Sequence, residues 1–220
     1  FPGPKVLLVA ETGEEQPLLP GLVDYIAAQR FDRVVFVSQP EPVDWLRAAG
    51  LKNLGWFPGL LFSHGDLAVS AARNAKRSDR IAMVGQIGGS GSRRLRLAAW
   101  RAKEGMPREV RAPAPPDVLE FYASSSIACA TNSPRDSVLR LFEALAAGTM
   151  LLTDRPAPTS GWARWWLSGN ELVTFGTADE LAERAAHFLA HPAEAREIGD
   201  RGARWFAERF GEVRRRSAFE

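Results

Sequence analysis

This chain of 220 residues contains a single cysteine, Cys129, and no long run of apolar residues. One cysteine excludes an intramolecular disulfide framework and is typical of a reducing compartment, so we expect a cytoplasmic protein. Without about 18 consecutive apolar residues, the chain offers no candidate membrane-spanning helix. The formal net charge of +2 gives no general signal for a nucleic-acid partner. Hydrophobic residues at 45% and charged residues at 25% are instead typical of a soluble globular protein.

Signatures of metal binding and of nucleophilic catalysis are also missing. The three histidines, His64, His187 and His191, have no metal-ligand spacing with cysteine or carboxylate residues. No Ser/His/Asp arrangement can be recognised, so no catalytic residue is named and neither a metal nor a cofactor is expected. His187 and His191 are one turn apart on a predicted helix and are most simply surface or packing residues. His64 lies where a cleft between two lobes would be, which makes it a minor site candidate.

Strand and helix patterns alternate along the chain. Strands are predicted over residues 5–10, 33–38, 53–57, 80–84 and 109–112, and near Ile127, Met150 and Leu172. Helices are predicted over residues 22–29, 43–49 and 95–103, from Asp117, before Gly148, after the capping box of Thr177 and Glu180, and from Pro192. This alternation is typical of parallel βαβ units.

A polar joint at residues 63–66 divides the pattern into two parts. Residues 1–64 contain three predicted strands, about half of a nucleotide-binding lobe. Residues 65–220 have the size of a complete lobe followed by C-terminal helices. We therefore predict a partial N-terminal lobe over 1–64 and a complete C-terminal lobe over 65–220.

The segment 136–154 is the most informative part of the chain. In a helix, Asp136, Arg140 and Glu143 fall on one stripe. The opposite stripe is apolar and must face a core; it consists of Val138, Leu141, Phe142 and Leu145. A strand follows Gly148 almost at once, so the helix should begin above the carboxyl ends of parallel strands, where ligands bind. A solvated surface helix capped by Asp136 is the alternative interpretation.

Residues 140–154 resemble the donor-site segment of group 1 glycosyltransferases with the GT-B fold. They are most similar to the spore-maturation (CgeB-like) branch of that family. Residues 114–132, 169–175 and 178–184 resemble other segments of the family, so that the resemblance covers roughly residues 80–215. It implies that Glu143 binds the ribose hydroxyls of a sugar nucleotide. Many retaining relatives have two glutamates eight positions apart, of which the second matches Glu143. The first is replaced by Arg135 in this chain, and the resemblance offers Asp136 and Arg140 as its substitutes.

A glycine-rich turn at residues 84–94 is the second candidate site. It follows a strand and precedes a predicted helix, so the backbone amides around Gly88 and Gly89 can bind an anion. It is not a Walker A loop, and Arg94 occupies the third glycine position of a dinucleotide motif. The resemblance implies that Arg93 or Arg94 neutralises a diphosphate. A flexible turn with solvated arginines is the alternative.

The resemblance implies a GT-B-like α/β fold, a Rossmann-type parallel sheet with helices on both faces. It implies transfer of a sugar from a nucleoside diphosphate sugar to an unidentified acceptor without a metal. Glu143 would hold the ribose, Asp136 the sugar, and Arg140 with Arg93 or Arg94 the phosphates. The backbone amides of Ser137, Val138 and Leu139 would bind the diphosphate oxygens, in keeping with the positive end of a helix dipole.

Two other functions remain open from the sequence. One is a non-catalytic GT-B-like binding or scaffolding protein, which the short N-terminal part and the absent first glutamate favour. The other is a sugar-nucleotide epimerase, which needs acid–base side chains in the cleft. The basic run at residues 214–216 is either a solvated tail or a peripheral contact to acidic lipid headgroups.

Overall fold

The computed structural model describes residues 3–9, 18–37, 41–58, 62, 64–84, 106–111, 117–130, 139–156 and 170–217. The predicted helix over 95–103 lies outside these residues. Eight strands and eight helices can be assigned within them, and they form two separate parallel sheets.

The first sheet contains three parallel strands in the order β1-β2-β3: β1 (Val6–Val9), β2 (Arg33–Phe36) and β3 (Leu54–Trp56). Helix α1 (Leu18–Gln29) connects β1 to β2, and helix α2 (Glu41–Ala48) connects β2 to β3. Both helices contribute to one apolar core, to which the sheet adds Val34 and Phe36. The three predicted strands and two predicted helices of this part are all present.

The second sheet contains five parallel strands in the order β5-β4-β6-β7-β8. These are β4 (Ser78–Val84), β5 (Arg108–Arg111), β6 (Ser125–Ala130), β7 (Met150–Asp154) and β8 (Val173–Phe175). The helices around it are α3 (Asp66–Arg73), α4 (Val118–Ala123), α5 (Leu139–Ala146), α6 (Ala178–Ala190), α7 (Pro192–Phe210) and α8 (Glu212–Ser217).

Side chains alternate between the two faces of this sheet, and each face has its own core. Ala128 and Leu151 belong to the core that α4 and α5 cover, together with the aromatic end of α7. Ile127 and Leu152, their neighbours along the strands, belong to the core that α6 covers. Successive side chains of a strand thus enter different cores, and both faces of the parallel sheet are buried. The predicted α/β fold with helices on both faces is confirmed.

Local sequence signals begin and end the helices as predicted. The Thr177 hydroxyl accepts a hydrogen bond from the Glu180 amide at 3.1 Å, and the Glu180 carboxylate accepts one from the Gly176 amide at 2.6 Å. Pro192 is in the first turn of α7. Gly148 ends the turn after α5 with φ +71°, a conformation that strains other residues.

Two helices, α3 and α8, were not predicted from the sequence. Helix α3 buries Val69 and Ala72 at helical spacing. Helix α8 contains the basic run that the sequence left as a tail. No described helix is long and apolar enough to cross a membrane.

Candidate functional site

The carboxyl ends of β4, β6 and β7 meet at one edge of the second sheet, at Val84, Ala130 and Asp154. Helix α5 begins beside this edge at Leu139, which is half-buried against the core. Ligands of parallel α/β sheets bind beyond such strand ends and beside helix N-termini. A ligand site is therefore expected beside the N-terminal half of α5.

Glu143 is the buried ionic side chain of α5. Its side chain is 2% exposed, and its Oε2 accepts a hydrogen bond from Arg140 Nη1 at 2.7 Å. The expectation that Glu143 lies on a stripe away from the packed face is wrong, because α4 and α7 both pack against α5 and bury it from Leu141 to Ala146. The Phe142 ring lies 4.7 Å from that of Phe210 at the end of α7.

His64 approaches the other oxygen of this carboxylate from the joint between the two sheets. Its Nε2 lies 3.8 Å from Glu143 Oε1, and its side chain is 10% exposed. The imidazole lies against the Phe62 ring, with 5.1 Å between the ring centroids. His64 and Glu143 are 79 positions apart in the chain, and the fold makes them neighbours.

Burial and nearby charges shift the pKa values of Glu143 and His64 in opposite directions. Burial raises the pKa of Glu143 above its ordinary value, and Arg140 opposes that shift. Burial lowers the pKa of His64, and the positive charges of Arg215 and Arg140 lower it further. At neutral pH the imidazole is therefore uncharged, and Arg140 is the cation that pairs with Glu143.

Tyr122 of α4 lies under the site and is fully buried. Burial raises the pKa of its phenol, and the nearby Glu143 carboxylate raises it further. The Tyr122 carbonyl accepts a hydrogen bond from the Thr149 hydroxyl at 2.7 Å. This bond joins α4 to the turn between α5 and β7, so the floor beneath Glu143 is rigidly packed.

The structure brings together two of the predicted site residues, Arg140 and Glu143. Leu139 begins the helix that carries both. The other predicted site residues lie outside the described part of the chain; they are Gly88, Gly89, Arg93, Arg94, Asp136, Ser137 and Val138. Within the described ranges, no group of three or more histidine, cysteine, aspartate or glutamate side chains could hold a metal ion.

The sequence does not predict a role for Arg215 at this site, because the basic run 214–216 indicates only a solvated tail or a contact to acidic lipid headgroups. Arg215 Nη2 donates to the His64 carbonyl at 2.7 Å, and Nη1 donates to the Phe210 carbonyl. Burial lowers the pKa of Arg215, while Asp66 and Glu212 oppose that shift. Val213 and Arg215 lie in one short helix, and nothing in their spacing along the sequence indicates that the Arg215 side chain contacts His64.

A family model described as glycosyl transferase-like matches residues 67–217, more than half of the chain. This range contains the second sheet, α5 and the C-terminal helices. A search of curated proteins finds no match.

Several solved structures share the fold at low sequence identity. HepE of Anabaena, solved with UDP and glucose, aligns with a TM-score of 0.64 and 14% identity over 98% of this chain and 70% of its own. TarM aligns with a TM-score of 0.65 and 10% identity over 98% of this chain and 49% of its own. Sucrose-phosphate synthase of Thermosynechococcus elongatus aligns with a TM-score of 0.61 and 17% identity over 94% of this chain and 62% of its own. These neighbours are GT-B glycosyltransferases, so the GT-B fold predicted from the sequence is confirmed.

Proposed function

Because the chain belongs to the glycosyl transferase-like family, we propose that it transfers a sugar from a nucleoside diphosphate sugar to an acceptor, with Glu143 binding the donor ribose. The observation that carries this proposal is the Glu143 carboxylate, buried at the carboxyl edge of the sheet beside Arg140 at 2.7 Å. A buried carboxylate costs free energy unless it is paired, and such groups concentrate at functional sites.

The chemistry of the site suits a nucleotide. A carboxylate accepts hydrogen bonds from two adjacent ribose hydroxyls, and each such charge-assisted bond contributes about 1.5–3 kcal/mol. Arg140 is one-third exposed, so its guanidinium can reach a ligand while it pairs with Glu143. The positive end of the α5 helix dipole adds positive potential for the diphosphate.

We further infer that arginines, and not a metal ion, neutralise the leaving diphosphate. Arg140 lies at the site, and Arg93 or Arg94 is the second cation that the sequence predicts. Asp136 is proposed to contact the sugar, and the amides of residues 137–139 the diphosphate. Fixed cations and amide dipoles stabilise developing charge without a proton transfer.

A uridine diphosphate sugar is the first donor to test, since Anabaena HepE was solved with UDP-glucose. That relative shares 13% identity with this chain, so it supports the choice of probe and not a substrate assignment. Membership of the spore-maturation (CgeB-like) branch is likewise proposed from residues 140–154. The acceptor is left open among glycans, proteins, lipids and small molecules.

The test is calorimetric titration with UDP, GDP, ADP and TDP, followed by the matching sugar nucleotides. We expect one nucleoside diphosphate to bind more tightly than its monophosphate, because the second phosphate meets the arginines. Failure of every nucleotide to bind would contradict the proposed function. Release of free sugar or transfer to a simple acceptor would then show catalysis.

A non-catalytic binding protein is the second candidate, because Arg135 replaces the first glutamate of many retaining relatives. It predicts nucleotide binding without any turnover of the bound sugar nucleotide. The two candidates therefore differ in product formation and not in affinity.

A further inference from the structure

We propose that His64, held in place by the C-terminal helix α8, is a positioning residue that orients the Glu143 carboxylate toward its ligand. This inference rests on the proposed role of Glu143 in nucleotide binding. It gives a function at the donor site to His64, which the sequence offered only as a minor site candidate, and to helix α8, which the sequence did not connect with the site.

The two oxygens of Glu143 have different neighbours. Oε2 accepts the 2.7 Å hydrogen bond from Arg140, whereas Oε1 faces His64 Nε2 at 3.8 Å. At that distance the imidazole attracts Oε1 without occupying it in a hydrogen bond. Oε1 therefore keeps its lone pairs for an incoming hydroxyl. Since the terminal torsion of a glutamate is broad, a neighbour on each side is needed to hold the carboxylate plane.

Arg215 holds His64 through its backbone. Its guanidinium donates to the carbonyl of His64 at 2.7 Å and also to that of Phe210. The same guanidinium lies 5.0 Å from the centroid of the Phe62 ring, and that ring contacts the His64 imidazole. One planar cation thus fixes both the backbone and the ring surroundings of His64.

A second pair of contacts fastens α8 to the joint. The Asp66 amide donates to the Glu212 carboxylate at 3.3 Å, and the Glu212 amide donates to the Asp66 carboxylate at 3.3 Å. Each carboxylate lies at the N-terminus of the other residue's helix, where negative charge is favourable. Helices α3 and α8 are therefore joined at their first residues, and His64 lies directly before this junction.

The test compares His64→Gln with His64→Leu in calorimetric titrations with UDP. Glutamine places an N–H donor where the imidazole has Nε2, whereas leucine fills the volume without a donor. We expect His64→Leu to weaken UDP binding by about fivefold or more, because the carboxylate is no longer held on the Oε1 side. His64→Gln should stay within about twofold of wild type. His187→Gln, an exposed histidine on α6, is the matched control and should bind as wild type does.

Arg215→Met tests the contribution of α8 with the imidazole left in place. It should weaken UDP binding, while Arg214→Met, an exposed neighbour on the same helix, should not. Equal UDP affinity for wild type and His64→Leu would overturn the inference. So would equal losses in His64→Leu and His64→Gln, because a packing role does not distinguish a donor from a methyl group.

Urea unfolding without nucleotide decides the inference independently. His64→Leu, Glu143→Gln and the double variant form a cycle, and we expect their effects on the free energy of unfolding to be non-additive. Additive effects would overturn the contact between the two side chains. If wild type and His187→Gln bind no nucleoside diphosphate, the proposed function fails, while this cycle still tests the link between His64 and Glu143. If His64→Leu does not fold, the cycle and the titrations are made with Arg215→Met in its place, and equal UDP affinity for Arg215→Met and Arg214→Met would overturn the inference.

Discussion

The Glu143 carboxylate is buried and lies between a cation, Arg140, and the uncharged imidazole of His64. Its side chain is 2% exposed, with Arg140 on one oxygen and His64 facing the other. Removing one partner of a buried ion pair leaves a charge without compensation, which costs more than the pair contributes. Such a side chain is a poor source of stability, and a ligand-binding role accounts for it better.

Glu143→Gln should weaken binding of the best nucleoside diphosphate by at least about tenfold, or 1.4 kcal/mol. The amide keeps the size of the side chain and one acceptor oxygen but loses the charge that strengthens bonds to hydroxyls. Calorimetric titration measures the change. Glu208→Gln, on the exposed side of α7, is the control and should leave affinity unchanged. Wild-type affinity in Glu143→Gln would remove this residue from the site.

The same substitution should change how stability depends on pH. Because burial raises the pKa of Glu143 above 4.5 in the folded state, the folded protein binds this proton more tightly than the unfolded chain. The resulting stabilisation is present below pH 4.5 and is lost as pH rises through the folded pKa. The pKa of His64 is lowered, so the folded protein binds this proton less tightly than the unfolded chain. The stabilisation from His64 is therefore present above pH 6.5 and is lost as pH falls below that value.

We therefore expect the free energy of unfolding of Glu143→Gln to rise relative to wild type as pH increases from 4.5. Urea unfolding of both proteins at a series of pH values provides the comparison. Parallel pH profiles would show that the carboxylate has the same proton affinity in the folded and unfolded chains.

At the scale of the element, the backbone of α7 lies close to that of the second sheet and its turns at two glycines. A Cβ atom on Gly199 would lie 2.4 Å from the Gly148 carbonyl oxygen and 2.9 Å from the Met150 amide nitrogen. One turn on, a Cβ on Gly202 would lie 2.5 Å from the Glu171 carbonyl oxygen. The groups of Gly148 and Met150 belong to the connection between α5 and β7, and Glu171 lies shortly before β8, so neither place can yield without moving a strand end. Close packing of α7 thus depends on two glycines one helical turn apart.

Gly199→Ala should destabilise the protein by about 2 kcal/mol or more, since overpacking against backbone forces α7 away from the sheet. Gly21→Ala in α1 is the matched control, because nothing lies within 4 Å of its added Cβ. That change should be neutral or stabilise by about 0.5–1 kcal/mol, the ordinary advantage of alanine in a helix. Urea midpoints of the two variants distinguish the effects, and similar midpoints would contradict the close approach.

At the scale of the whole molecule, contacts between distant parts of the chain fasten the polar joint and α3 to the helices of the second sheet. His64 of the joint contacts α5, and Asp66 at its end contacts α8. Two arginines of the same region, Arg73 and Arg77, donate to the carbonyls of Ala146 and Gly148 at 2.8 and 2.7 Å. These carbonyls lie at the C-terminal end of α5, where cations are favourable. The described part of the molecule should therefore unfold as a connected structure around α5.

Cys129, the single cysteine, offers a probe of that unfolding. It is 1% exposed near the carboxyl end of β6, and burial together with the negative charge of Asp154 raises its pKa to about 12. We expect an aromatic disulfide reagent to label it only when the sheet opens, at least about a hundredfold more slowly than in concentrated urea.

A bound nucleotide should slow this labelling further. At 100 times its dissociation constant, a ligand stabilises the folded state by about 2.7 kcal/mol, close to a further hundredfold reduction in the open population. Labelling rates with and without UDP measure this effect. Rapid labelling of the native protein would mean that β6 is exposed by local motion.

Local patterns in the sequence determined most of the described elements. The alternation of buried strands and amphipathic helices predicted the parallel α/β architecture, and the glycosyltransferase class that the resemblance implied is confirmed by the family match. Gly148, Thr177 and Pro192 set the ends of helices at their predicted places. These signals are readable because they depend on neighbours within about four positions in the chain. The boundary at residue 64/65 and the individual ligand contacts stay predictions.

Only the tertiary structure decided which side chains surround Glu143. The helical stripe placed this residue away from the core, yet its side chain is 2% exposed and faces His64. His64, Glu143 and Arg215 come from the joint, from α5 and from the last helix, and no periodicity links positions so far apart. Their contacts depend on how α3, α5 and α8 pack around one sheet edge. Packing of distant elements is a property of the folded chain, because burial and charge pairing act on spatial neighbours whatever their separation in sequence.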